Sequence, residues 1–221
     1  MKAFTLLMLN RQKVSTIVIA SVICAFMLLT FRITYTNTPY FLFLIWNLFL
    51  AGVPFIITTY LISLKTPYKL SIVFYFTIWL IFLPNAPYIV TDFYHLRLSH
   101  SHLIWLDALV IFCFAIAGLI LFYFSLSDMY TTVSLYIKKK YVKVVIYGSC
   151  FLSGLGIYLG RFLRYNSWEI LSNPAQLIKD CFSILLFPKA HIQAWLFVIL
   201  TGFVLSVGFY SFRVLIDKKE V

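Results

Sequence analysis

Six long apolar runs divide the chain: Val14–Phe31, Pro39–Leu64, Leu70–Val90, Leu103–Leu126, Val142–Leu163 and Ile192–Phe212. A helix needs about 20 apolar residues, in a range near 17–25, to cross the hydrocarbon core of a bilayer. Each run has that length, and lysines, arginines or polar clusters separate them. The pattern predicts an all-α fold, a polytopic transmembrane helix bundle of six spans, with residues 1–221 as a single integral membrane domain. Lys2, Arg11 and Lys13 precede the first run as in a signal peptide, but the run continues without a small-residue cleavage site. It reads as a retained span.

Between spans five and six lies the longest loop, from Arg164 to His191. Asn173-Pro174 has the form of a helix start, with Asn as cap and Pro at the first helical position. Leu177, Ile178, Cys181, Phe182, Leu185 and Leu186 then recur at helical spacing around Lys179, Asp180 and Ser183. The run is too short to span and predicts an amphipathic helix in the outer interface.

Composition agrees with the pattern. Apolar residues make up 62% and charged residues 11%, against roughly 45–50% and 25% in soluble domains. A mean hydropathy of +0.95 points the same way and excludes a soluble enzyme, a disordered tail and a disulfide scaffold. The net charge of +11 comes from 18 Lys+Arg against seven Asp+Glu. With the N-terminus inside, the inner segments hold twelve of those cations and the outer segments six. That bias predicts a cell-membrane protein with both termini cytoplasmic. No basic stripe interleaved with exposed aromatics suggests nucleic acid. Cys24, Cys113, Cys150 and Cys181 lack CxxC spacing and read as small hydrophobes.

Two segments carry candidate chemistry. The third span ends in Leu83-Pro-Asn-Ala-Pro-Tyr-Ile-Val-Thr-Asp-Phe-Tyr-His95. Two prolines three residues apart disrupt a helix, because each lacks an N–H and crowds the preceding turn. Asn85 between them is a candidate cap for the freed backbone. If the chain turns helical again, Asp92 and His95 fall at i,i+3 on one face. The fifth span ends in Gly156-Ile-Tyr-Leu-Gly160-Arg161-Phe-Leu-Arg164-Tyr-Asn166-Ser-Trp168-Glu169. The GxxxG step allows close helix approach. Arg161, Arg164 and Trp168 follow at i, i+3 and i+7, and two guanidiniums so spaced suit a phosphate or carboxylate.

Both strings, Leu83–Asp92 and Tyr158–Trp168, together with Trp46-Asn47-Leu-Phe-Leu-Ala51, Pro54 and Trp105-Leu-Asp107, resemble an uncharacterised bacterial membrane-protein family, domain of unknown function 1361. The resemblance covers spans two to five and the loop beyond. It implies a multi-span membrane fold and brings no established activity with it.

With the N-terminus inside, spans three and five both exit outward. Asn85, Asp92, His95, Arg161, Arg164, Asn166, Trp168 and Glu169 then share the outer side, and Asp107 begins span four from it. These nine residues form the candidate polar site. The bland readings are an Asp107 clamp to Arg161 or Arg164, Asp92 and His95 bonded to the broken helix, and Asn47 as interhelical glue. Three functions fit. The first is binding or transport of an anionic lipid headgroup or small anion. The second is a membrane-embedded hydrolase of a lipid ester or amide, with Asp92, His95, Asp107 and His191 holding zinc. The third is a structural subunit that partners another membrane protein or a second copy. No cofactor is otherwise evident, and membrane lipids are the expected partners.

Overall fold

The computed structural model describes residues 2–64, 68–98, 103–165, 172 and 174–217, which contain helices and no strand. The helices are α1 (Lys2–Thr36), α2 (Phe43–Ser63), α3 (Lys69–Phe82), α4 (Asn85–Tyr88), a 3-10 segment (Ile89–Leu98), α5 (Ile104–Ser134), α6 (Lys139–Arg161), α7 (Pro174–Leu186) and α8 (Ile192–Asp217). Six stretches are long and apolar enough to cross a membrane: Gln12–Thr36, Phe43–Ser63, Lys69–Arg97, Ile104–Ser134, Lys139–Arg161 and Ile192–Ile216. The chain is a multi-pass membrane protein with the six expected spans.

α5 is the central helix. Buried residues make up 61% of its most apolar stretch, against 17% for α1. Phe114, Phe122, Leu126 and Met129 of α5 meet Ala25 and Leu29 of α1, Leu44 and Leu48 of α2, and Ile146 and Cys150 of α6 in one core. Large apolar side chains such as Phe49, Ile56, Phe74 and Phe203 face outward, as a hydrocarbon solvent requires.

The first span runs five residues past the expected Phe31. It stops at Thr36 because Asn37 takes a left-handed φ of 51°, a conformation that Asn tolerates better than most residues. Pro39 follows two residues later and stops any continuation.

The third span breaks where its prolines require. α3 ends at Phe82, α4 is a single turn, and the 3-10 segment carries the chain onward. Asn85 Nδ2 donates to the Phe82 carbonyl at 2.9 Å, satisfying a group released by the break. Glycines on two helices make room for this segment. A Cβ on Gly118 of α5 would lie 2.6 Å from the Ala86 carbonyl oxygen. One on Gly156 of α6 would lie 2.5 Å from Pro84 Cγ, and one on Gly160 would lie 3.1 Å from Tyr88 Cε2. The GxxxG step therefore receives the broken helix.

α7 covers Pro174–Leu186, and Asn173, the expected cap, lies outside the described residues. Ile184 is buried, and Ile178, Phe182, Leu185 and Leu186 are exposed. Three hydrogen bonds tie the helix to its neighbours: Tyr165 Oη to Asp180 Oδ2 (2.6 Å), Trp195 Nε1 to the Ile184 carbonyl (2.9 Å), and Ser183 Oγ with His191 Nε2 (3.0 Å). The helix is thus amphipathic, with a polar flank held by protein and Ile178, Phe182, Leu185 and Leu186 exposed.

Candidate functional site

The candidate site forms where the ends of the 3-10 segment and α6 meet the start of α2. A 3-10 helix eclipses residues three apart, so Asp92 and His95 share a face, with His95 Nε2 3.9 Å from Asp92 Oδ1. Gly160 and Gly156 let α6 approach until Arg161, in its last turn, reaches across. Arg161 Nη2 donates to Asp92 Oδ1 at 2.5 Å, and Arg161 Nε donates to Thr91 Oγ1 at 2.9 Å. Asn47 of α2 donates from Nδ2 to Asp92 Oδ2 at 2.8 Å. Both carboxylate oxygens are thus occupied, as a buried charge demands.

Burial grades outward across the cluster. The Asp92 side chain is 1% exposed, Arg161 16% and His95 28%. The Arg161 guanidinium lies 4.6 Å from the centre of the Tyr88 ring, a cation–π contact from below. Arg161 Nη1 stands 3.4 Å from His95 Nε2. A guanidinium only donates, so this contact makes Nε2 the acceptor and puts the proton of a neutral ring on Nδ1. The rings of Phe43, Tyr94 and Tyr40 flank His95 at 4.8, 6.4 and 6.5 Å.

A second ion pair lies at the same end of the bundle. Arg32, at the end of α1, donates from Nε to Asp107 Oδ1 at 2.9 Å, with side chains 3% and 0% exposed. Arg32 Nη1 also donates to the Thr38 carbonyl (2.7 Å) and Oγ1 (2.6 Å), and its guanidinium sits 4.8 Å from the Phe41 ring centre.

These contacts correct several expectations. Asp107 is clamped by Arg32, not by Arg161 or Arg164, because α1 ends beside the start of α5. Arg161 and Arg164 do not share a helical face: α6 stops at Arg161, and Arg164 is exposed with a left-handed φ of 61°. Asn166, Trp168 and Glu169 lie outside the described residues. The four-residue zinc set is not assembled. Asp107 is taken by Arg32, His191 by Ser183, and among the described residues no group of three His, Cys, Asp or Glu stands close enough for a metal. Burial, and then the neighbouring Asp180, push the Cys181 thiol above its ordinary value.

Asn47 behaves as the interhelical glue expected of it, and what it holds is Asp92. Asn85 serves the helix break. Arg32, Thr91 and Tyr88 were not singled out by the sequence patterns. Arg32 had a usable signal, being a lone cation at the end of span one, on the side where Asp107 begins span four.

Comparison with curated proteins and with solved structures finds no match. A family model, described as "Protein of unknown function (DUF1361)", matches residues 46–207 and so takes in Asn47, Asp92, His95, Asp107 and Arg161. The chain belongs to that family of uncharacterised proteins, DUF1361.

Proposed function

We propose that the protein binds an anionic lipid headgroup, or a small anion of the same chemistry, at the bundle end that carries Asp92, His95 and Arg161. This end faces outward from a bacterial cell membrane, with both termini cytoplasmic. The orientation rests on the twelve-to-six division of cations. The observation that carries the binding reading is the distribution of charge. Asp92 is buried, Arg161 is held by Asp92, Thr91 and the Tyr88 ring while staying 16% exposed, and Arg97 and Arg164 stand exposed along the same two segments. The accessible rim is therefore cationic, and preorganised guanidinium is well suited to phosphate oxygens.

Binding is favoured over passage through the bundle. The buried residues of α5 between Asp107 and Ser125 are Val110, Ile111, Phe114, Ala115, Ala117, Gly118, Leu121, Phe122 and Phe124. No polar side chain there would carry an ion across. A zinc hydrolase needs a third ligand beside Asp92 and His95, and neither Asp107 nor His191 stands there.

Lipid retention in native mass spectrometry tests the reading. The wild-type chain is expected to keep phosphatidylglycerol through detergent exchange, in preference to phosphatidylcholine. Replacing both cations, Arg161→Gln with Arg164→Gln, should weaken retention by about tenfold, the effect of losing one charge-assisted contact of roughly 1.5 kcal/mol. Displacement by inorganic phosphate would assign the site to a small anion instead of a lipid. Unchanged retention in the double variant would leave the ion pair as a helix clamp and refute the binding reading.

A further inference from the structure

The connector between α1 and α2 joins the two ion pairs. At one end Thr38 and Phe41 are held by Arg32, itself locked to buried Asp107. At the other end Tyr40 and Phe43 flank His95. Between them the rings interlock: Tyr40 meets Phe41 edge-on at 4.9 Å and Phe43 at 6.4 Å, while Phe41 and Phe43 are 6.0 Å apart. One turn further along α2, Asn47 holds Asp92. An unbroken path of contacts thus runs from Arg32 to His95 and Asp92.

We infer that Arg32 and Asp107 are positioning residues of the site: their pair latches the 37–42 connector and the start of α2 at Phe43 as a wall over His95, and so sets what reaches His95 and Arg161. A fully buried pair is an expensive way to join two helices, since apolar residues of similar volume do so equally well. What apolar residues cannot do is donate two hydrogen bonds to Thr38. The wall also comes from a distinct part of the chain. Arg32, Thr38, Tyr40, Phe41 and Phe43 all precede residue 46, where the family match begins, whereas Asn47, Asp92, His95 and Arg161 lie within it. The matched core supplies the charged site, and the N-terminal helix and its connector supply its cover. Where ligand access is concerned, the inference rests on the binding reading above; the wall itself does not.

Acylation of His95 by diethylpyrocarbonate, read peptide by peptide in the purified full-length chain, tests the wall without any ligand. The double variant Arg32→Met/Asp107→Leu keeps the helices joined but releases Thr38. It should acylate His95 about threefold faster, the order expected when a local segment opens more easily. His191, tied to Ser183 on α7, should be unchanged and serves as the internal reference. Thr38→Val, which leaves the ion pair in place, should give a smaller rise in the same direction, and Tyr40→Ala, which removes the wall itself, a rise at least as large. Phosphatidylglycerol retention should fall in the double variant. Equal His95 rates in wild type, Thr38→Val and Tyr40→Ala would overturn the inference, whether or not the double variant folds. A faster His95 reaction with no lipid bound to any form would uphold the wall and remove the binding reading alone.

Discussion

Asp107→Leu is expected to destabilise the protein by about 3–5 kcal/mol, the effect of removing one partner from a buried ion pair. The cost arises from what remains. Arg32 would keep its charge in a site 2% exposed, with Thr38 as an acceptor and the Phe41 ring beside it, but with no carboxylate. A guanidinium does not escape by losing its proton. Arg32→Met should be similarly harmful, because it takes the guanidinium away from the buried Asp107 carboxylate at the start of α5. Combining them as Arg32→Met/Asp107→Leu removes both charges together and should restore most of the loss. Chemical unfolding of the four forms in one detergent measures this, and the signature is strong non-additivity. Additive losses would mean that the two side chains do not act as a pair.

Gly118→Val should be the second severe change, costing about 3 kcal/mol, at the upper end of ordinary overpacking. Its Cβ would meet the Ala86 carbonyl oxygen at 2.6 Å and the Ile89 Cδ1 at 3.1 Å. The first obstacle is backbone between two prolines, which has little freedom to move. Displacing it shifts the 3-10 segment and with it Asp92 and His95, so the His95 acylation rate should change along with stability. Gly52→Ala is the matching control. Nothing lies within 4 Å of its added Cβ, and Ala in a helix interior gains up to about 1 kcal/mol over Gly. Equal stability of Gly118→Val and wild type would show that the broken segment does not pack against α5.

The fold was legible because a bilayer imposes long apolar runs, and runs of that length have no other use in a chain with so few charges. The Pro84–Pro87 break was equally legible, since a missing N–H and a ring clash act locally. Asp92 and His95 could be paired from their spacing alone. What could not be read was where α6 would stop. Extending its period through Arg164 and Trp168 placed three residues on one face, yet the left-handed turn at Arg164 ends the period after Arg161. Partner choice was also hidden. Asp107 had four arginines in the segments expected on its side, Arg32, Arg97, Arg161 and Arg164, and only the packing of α1 against α5 selects Arg32. The roles of Gly118 and Tyr88 depend on which helices become neighbours, information that a single strand of sequence does not carry.

The proposed binding places an anionic headgroup against the Arg161 guanidinium. Nitrogen–phosphorus dipolar recoupling by solid-state NMR tests it directly, with the arginines labelled with ¹⁵N and the protein in phosphatidylglycerol bilayers. A charge-assisted N–H···O contact of about 2.7–2.9 Å brings guanidinium nitrogen and lipid phosphorus close enough for strong dephasing. Wild type is expected to show a strongly dephased arginine component that disappears in Arg161→Gln. The same dephasing curve in both proteins would contradict it.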